Sequence, residues 1–82
     1  MQSKEKKHFM LVEKGQCVAI NNEDNTATPY EVIMADDEYF VLGQITPTNN
    51  ELTEFTTDLE NISIYSNDGT LSLAEMNMFI VD

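Results

Sequence analysis

Basic residues are missing from most of the chain, and this absence constrains the fold more than any other feature. No Lys or Arg occurs from Gly15 to Asp82, whereas 13 of the 15 acidic residues lie there, all except Glu5 and Glu13. In an ordinary domain, roughly half of the charged residues are basic. Each carboxylate of this stretch must therefore be solvated, hydrogen-bonded to backbone N–H groups, bound to a metal or reserved for a basic partner.

The charge balance also excludes classes of function. A formal net charge of −11 and a pI of about 4.1 exclude direct binding to nucleic acid or to an anionic membrane surface. A chain of 82 residues has room for one modest core, and 41% hydrophobic residues are too many for disorder. We expect residues 1–7 to form a flexible basic N-terminal segment and residues 8–82 to form a single compact acidic domain.

The N-terminus and the cysteine content favour a cytoplasmic location. The first seven residues are polar and are followed by four apolar residues, 9–12, too few for a secretory signal. The single Cys17 cannot form an internal disulfide, which is typical of a reducing compartment. We therefore expect a cytoplasmic protein.

Two stretches alternate in hydrophobicity with the period of a β-strand. Residues 30–35 and 39–45 place apolar side chains on both faces, and the acidic residues 36–38 between them form a predicted hairpin turn. Because both faces of this hairpin are apolar, we expect other parts of the chain to cover each side. Residues 8–13 and 16–20 predict another hairpin.

A helix is predicted for about residues 48–60. Thr48 and Glu51 have the spacing of a capping box. Apolar residues then recur at intervals of three and four, as on one helical face, at Leu52, Phe55, Leu59 and Ile62. The predicted fold is therefore α+β, an antiparallel sheet of five or six strands with this helix packed on it. The alternative is a small all-β barrel.

The last third of the chain supports more than one structure. Asp68-Gly69 is typical of a hairpin turn, which we favour, whereas Ser72 and Glu75 have the capping-box spacing of a short helix. The same region resembles an EF-hand calcium loop, with Gly69 at the sixth position and Glu75 at the twelfth. It departs from that family at the first position, where Ile64 replaces the required carboxylate. A hairpin and a degenerate calcium-type loop both stay open.

Residue patterns for catalysis or metal binding are sparse. His8 and Cys17 are the only His and Cys, too few for a zinc site and with no orienting motif around them. The chain has no Arg and no Gly-rich loop of the kind used in phosphoryl transfer. We expect a protein that is not an enzyme and that uses no cofactor or metal.

The acidic body of the chain favours a function based on charge. In size and composition the chain resembles the small acidic DNA-mimic inhibitors that bacteriophages use against host restriction, CRISPR or repair enzymes. That resemblance implies that carboxylates take the place of phosphates in the basic groove of a nucleic-acid-binding protein, inside the bacterial host cell if the protein is phage-encoded. The predicted partner-binding residues lie at the hairpin turn and on the predicted helix: Asp36, Asp37, Glu38, Glu51, Glu54, Asp58 and Glu60. Monomeric and dimeric states both stay open.

A second hypothesis assigns the acidic residues to solubility only. The protein would then be a small interaction or structural module that binds through an apolar patch or a sheet edge. Its predicted contact strip lies near the C-terminus and consists of Met76, Met78, Phe79, Ile80 and Val81. The two hypotheses differ in salt dependence, because electrostatic capture weakens as salt rises and an apolar interface does not.

Overall fold

Runs of Val, Ile, Thr, Tyr and Phe with high strand propensity determine the architecture. The computed structural model describes residues 9–81, so the predicted basic segment at residues 1–7 lies outside the described residues. Six strands form: β1 (Cys17–Asn21), β2 (Ala27–Ala35), β3 (Tyr39–Pro47), β4 (Phe55–Thr57), β5 (Ser63–Ser66) and β6 (Met78–Val81). All of their pairings are antiparallel.

The strands make one open sheet in the order β4-β3-β2-β1-β6. Strand β5 pairs with the first half of β3, opposite Tyr39 and Leu42, while β4 pairs with its end, opposite Ile45 and Pro47. Both short strands therefore lie along the same side of β3. Within residues 9–81 the sheet keeps two edges, β6 on one side and β4 with β5 on the other, and the alternative prediction of a closed barrel is wrong.

The prediction of an α+β fold with a helix at residues 48–60 is also wrong, because the described residues contain no α-helix. The chain instead forms a loop, closed by a hydrogen bond from Thr48 N to Glu54 O at 2.8 Å, and then enters β4. Leu52 has a φ of 59°, a left-handed conformation that interrupts a helix. None of residues 9–81 belongs to a helix long and apolar enough to cross a membrane.

The apolar spacing that predicted the helix does not mark a buried face. Leu52, Phe55, Leu59 and Ile62 expose 62%, 55%, 67% and 44% of their surface. Threonines at three positions between residues 53 and 57 lose rotamer freedom in a helix and fit a pleated strand better. Pairing of β4 with the end of β3 therefore prevails over the helical period.

Two predicted hairpins are wrong as well. Residues 9–14 form no strand and instead run over one face of the sheet, where Val12 is buried. After β5 the chain does not turn back at Asp68-Gly69. It crosses the same face to β6 through a short 3-10 turn, Ala74–Met76, whose start is held by reciprocal hydrogen bonds: Ser72 N to Glu75 Oε1 at 2.8 Å and Glu75 N to Ser72 Oγ at 3.1 Å.

The core lies on that one face, which we call the covered face. Val12 contributes to it from the segment that crosses this face. The other buried side chains alternate along the strands with residues that point the other way, and they are Val18, Val32, Phe40, Leu42 and Met78. The rings of Phe40 and Tyr65, on neighbouring strands, stack with centroids 5.5 Å apart. Leu11, Leu73 and Met76 pack against this cluster from the two irregular segments that cross the face.

A single buried amide, Asn67, joins these irregular segments to the sheet. Its Oδ1 accepts hydrogen bonds from Leu11 N at 2.9 Å and Val12 N at 3.0 Å, and its Nδ2 donates to Val12 O at 3.1 Å and Asp36 O at 2.7 Å. Its backbone N–H donates to Glu38 O at 2.8 Å. Because Asn67 is fully buried, these bonds satisfy polar groups that would otherwise be stranded without water.

Candidate functional site

All seven predicted partner-binding residues lie along the β4/β5 side of the sheet, a surface we call the acidic edge. The turn containing Asp36 and Glu38 contacts the end of β5 through the Asn67 N–H bond to Glu38 O. The turn between β4 and β5 lies beside the middle of β3, because Asp58 N donates to Gln44 O at 2.9 Å. The remaining members, Glu51 and Glu54, lie in the loop beyond the far end of β3.

The acidic edge thus differs from the predicted helical stripe. Glu51 and Glu54 precede β4, and Asp58 and Glu60 follow it, so the strand separates two pairs that the helix would have stacked. The turn at Asp36 occupies the opposite end of β3. Three acidic clusters are therefore spread over the length of β3, which for nine residues is about 27 Å.

Two aspartates of the acidic edge are fixed by the backbone. Asp36 Oδ1 accepts hydrogen bonds from Glu38 N and Tyr39 N, both at 2.8 Å. Asp58 Oδ1 accepts from Glu60 N at 2.8 Å and Asn61 N at 3.1 Å. These backbone donors favour the ionised form and lower the pKa of both carboxyl groups below the ordinary value of 3.8.

The same turn chemistry occurs outside the acidic edge, which limits what the aspartates alone indicate. Asp24 and Asp68 each accept a backbone and a hydroxyl hydrogen bond from the threonine two residues ahead, and these bonds also lower their pKa. Closing turns is therefore a general role of aspartate in this chain. The exposed glutamates are the members that distinguish the acidic edge: Glu38, Glu51, Glu54 and Glu60.

The surrounding charge is almost entirely negative. Of the 15 acidic residues, all but Glu5 and Asp82 fall within residues 9–81, which leaves 13, and Lys14 is the only Lys or Arg of that range. The low local density of cations lets the field of the carboxylates extend into solvent over about a Debye length. The electrostatic surface therefore suits a basic partner.

A second surface was missed by the sequence analysis. The face of the sheet opposite the core, which we call the open face, contains a groove of about 460 Å³ to which five strands contribute. It is mostly apolar and is lined by Gly15, Cys17, Pro29, Glu31, Ile45, Phe55, Thr57 and Val81. Alternation along β2 places Glu31 on this face, whereas Phe55 reaches it only because β4 pairs with the end of β3.

Close packing shapes the acidic side of this groove. Gly43 is buried beneath the chain after β4, and a Cβ there would collide with the carbonyl oxygen of Asp58 and lie 3.0 Å from Thr57 Cγ2. Thr57 Oγ1 donates a hydrogen bond of 2.6 Å to Glu31 Oε1. Glycine at position 43 thus allows the turn of Asp58 to approach β3 and holds Thr57 against Glu31.

The region that resembles a calcium loop forms a different structure. Ile64 is part of β5, and the carboxylates of Asp68 and Glu75 accept hydrogen bonds from Thr70 and Ser72 in successive turns. Among residues 9–81 no three His, Cys, Asp or Glu side chains are grouped so that they could hold a metal ion. The Asp-Gly pattern here belongs to a turn over the covered face, where the Phe9 ring packs against Gly69.

Comparisons with known proteins add no functional information. No protein-family model matches the chain, and no curated protein or solved structure matches it. Function is therefore inferred from the charge and geometry of the two surfaces.

Proposed function

We propose that this protein is a small acidic inhibitor of DNA-mimic type, which occupies the basic nucleic-acid-binding groove of a host defence or repair enzyme and acts by binding without catalysis. The arrangement of the acidic edge carries the proposal. Seven acidic residues lie in three clusters along β3, which is about 27 Å long, and one DNA strand carries a phosphate per about 3.4 Å of helix axis, so about eight phosphates span the same length. A row of negative charge of this length suits a groove built for phosphates.

Rigid placement of part of this charge supports the same proposal. Asp36 and Asp58 are each held in place by two backbone N–H groups. A carboxylate that is already fixed loses little conformational entropy when it meets a Lys or Arg. The exposed glutamates around them add charge that speeds association with a basic surface.

Competition between the partner and duplex DNA tests the proposal. The protein is immobilised, incubated with nuclease-treated bacterial lysate and eluted first with salt and, in a parallel experiment, with excess duplex DNA. We expect basic nucleic-acid-binding proteins to be retained and to be released by DNA, because both ligands would occupy one groove. Retained proteins that are eluted neither by excess duplex DNA nor by salt would contradict the proposal.

Substitution of its exposed glutamates tests whether the acidic edge makes the interaction. The substitutions Glu38→Gln, Glu51→Gln, Glu54→Gln and Glu60→Gln remove charge and leave the fixed aspartates in place. The control is Glu13→Gln with Glu23→Gln, which removes exposed charge elsewhere. We expect the edge variant to lose DNA-releasable capture and the control to keep most of it. Because the control removes two charges and the edge variant four, a loss of binding free energy in the control about half that of the edge variant would assign capture to total charge and remove the acidic edge from the mechanism.

One observation favours the second candidate, an interaction module. Strand β6 is a sheet edge whose residues Phe79, Ile80 and Val81 are exposed, as the contact-strip hypothesis requires, although Met78 is buried in the core. An uncharged exposed edge is able to pair with a strand of another protein. Capture that survives high salt and is unaffected by the edge variant would favour this function over inhibition.

A further inference from the structure

We infer that the groove of the open face, which borders the acidic edge along β4, is a second binding site for a polypeptide segment in which a Lys or Arg is flanked by apolar side chains. The inference starts from the groove's composition. Ile45, Phe55 and Val81 provide apolar contact area, and Phe55 and Val81 expose 55% and 39% of their surface. Exposed apolar area of this kind gains free energy when a partner removes it from water.

Charge determines which partner fits. Glu31 is the only acidic or basic side chain among the groove-lining residues, and it lies half-buried between apolar neighbours. Thr57 occupies one of its oxygens at 2.6 Å, which orients the carboxylate and leaves the second oxygen able to accept from a ligand. A cation opposite Glu31 would form a charge-assisted hydrogen bond in a partly dry site.

The same charge argues against a second copy of this chain as the occupant. Residues 9–81 carry 13 acidic residues and one Lys, so two copies face to face would repel one another and would bury two Glu31 carboxylates without a cation. A volume of about 460 Å³ accommodates a few side chains, which matches a short peptide segment better than a whole protein surface.

The single cysteine allows occupancy to be measured directly. Cys17 lines the groove, is half-buried and is the only thiol of the chain. The probe is a capped peptide of sequence Ser-Gly-Leu-Phe-Lys-Val-Leu-Gly-Ser, and the readout is the rate of Cys17 alkylation by iodoacetamide. We expect the peptide to slow alkylation in a saturable manner, because a bound segment shields the thiol.

Paired changes in the protein and in the peptide isolate the contact with Glu31. Glu31→Gln keeps an oxygen for Thr57 but removes the charge, and Glu23→Gln is the matched control on an exposed turn. We expect Glu31→Gln to weaken the Lys peptide about tenfold and Glu23→Gln to leave it unchanged. A peptide with Gln in place of Lys should bind both the unsubstituted protein and the Glu31→Gln variant equally weakly.

Two results would overturn the inference. The first is an alkylation rate that the Lys peptide does not change. The second is equal binding of the Lys and Gln peptides to the unsubstituted protein, a comparison that needs no variant to fold. The quadruple glutamine variant of the acidic edge should still bind the Lys peptide more tightly than the Gln peptide, so failure of the groove site is distinguishable from failure of the inhibitor proposal.

Discussion

The two faces of the sheet are both apolar, but only one is used for folding. On the covered face, Val18, Val32, Phe40 and Leu42 are fully buried beneath two irregular segments. On the open face, Phe55 and Phe79 expose about half of their surface, and no segment of residues 9–81 lies over them. Apolar character therefore indicates burial on one face and an available surface on the other.

Replacing one phenylalanine by alanine on each face should give the largest difference in the free energy of unfolding. Phe40→Ala removes a fully buried ring that stacks on Tyr65, and we expect it to lower the free energy of unfolding by about 4 kcal/mol. Phe55→Ala on the open face should cost about 0.5 kcal/mol or less, since the ring is already 55% exposed. Urea unfolding measures both. Similar costs would mean that the open face is buried in solution.

Substitution of Asn67 should have the next largest effect on the free energy of unfolding, because this residue attaches the irregular segments to the covered face. Asn67→Ala leaves the Val12 N–H and two carbonyl oxygens without their partner, and the Leu11 N–H keeps only its 3.3 Å hydrogen bond to the carbonyl oxygen of residue 67, so we expect a loss of about 3 kcal/mol. The control is Asn22→Ala, which removes exposed bonds to threonine hydroxyls and should cost well under about 1 kcal/mol. Equal unfolding midpoints for the two variants would refute the role of Asn67.

Gly43 allows the acidic turn to approach the open face closely. Gly43→Ala places a methyl group against the carbonyl oxygen of Asp58, so the turn must move away from β3 and strain its hydrogen bond to Gln44 O. We expect a loss of about 2 kcal/mol, measured by urea unfolding, together with weaker capture by the acidic edge. An unchanged unfolding midpoint would show that the turn is loosely attached.

The smallest expected effect is a pH dependence at the turns. Asp24, Asp36, Asp58 and Asp68 have a lowered pKa in the folded state because backbone or hydroxyl groups donate to them. As pH falls, the unfolded chain binds protons at these carboxylates before the folded chain does. This stabilisation is therefore complete above the ordinary pKa of 3.8 and is lost as pH falls through the lower folded values.

Urea midpoints measured from about pH 5 to about pH 2 check this dependence. Two of these aspartates lie next to Asn67: the side chain of Asn67 donates to the carbonyl oxygen of Asp36, and Asp68 follows it in the sequence. The double variant Asp36→Asn with Asp68→Asn should show a smaller fall in urea midpoint between about pH 5 and about pH 2. An equally steep fall in this variant would mean that other carboxylates cause the loss of stability in acid.

Local signals predicted part of the fold. Alternation around residues 36–38 correctly indicated β2, β3 and the acidic turn between them, because strand period and turn chemistry are local properties. The helix at residues 48–60 was wrong because Phe55 has helical spacing from its apolar neighbours, while the pairing that makes it a strand residue is with Pro47 in β3. Such a pairing has no local signature.

Long-range contacts limited the prediction of the sites in the same way. Asn67 bonds to residues 55 and 56 positions away, so a polar residue in a turn-like stretch gave no indication that it was buried. The groove depends on bringing Phe55 and Val81 over one face from the two sides of the sheet. The acidic residues, in contrast, could be identified directly, because charge and its position along the chain are read from the sequence.

The salt dependence of partner binding tests the central claim, that charge on the acidic edge recognises a basic groove, most directly. The partner is the main bacterial protein that duplex DNA elutes. Its dissociation constant is measured from low to physiological salt with the unsubstituted chain and with the quadruple variant Glu38→Gln, Glu51→Gln, Glu54→Gln and Glu60→Gln. We predict that the unsubstituted chain binds about tenfold more tightly at low salt and weakens more steeply as salt rises. Identical affinities and slopes for the two proteins would contradict the claim.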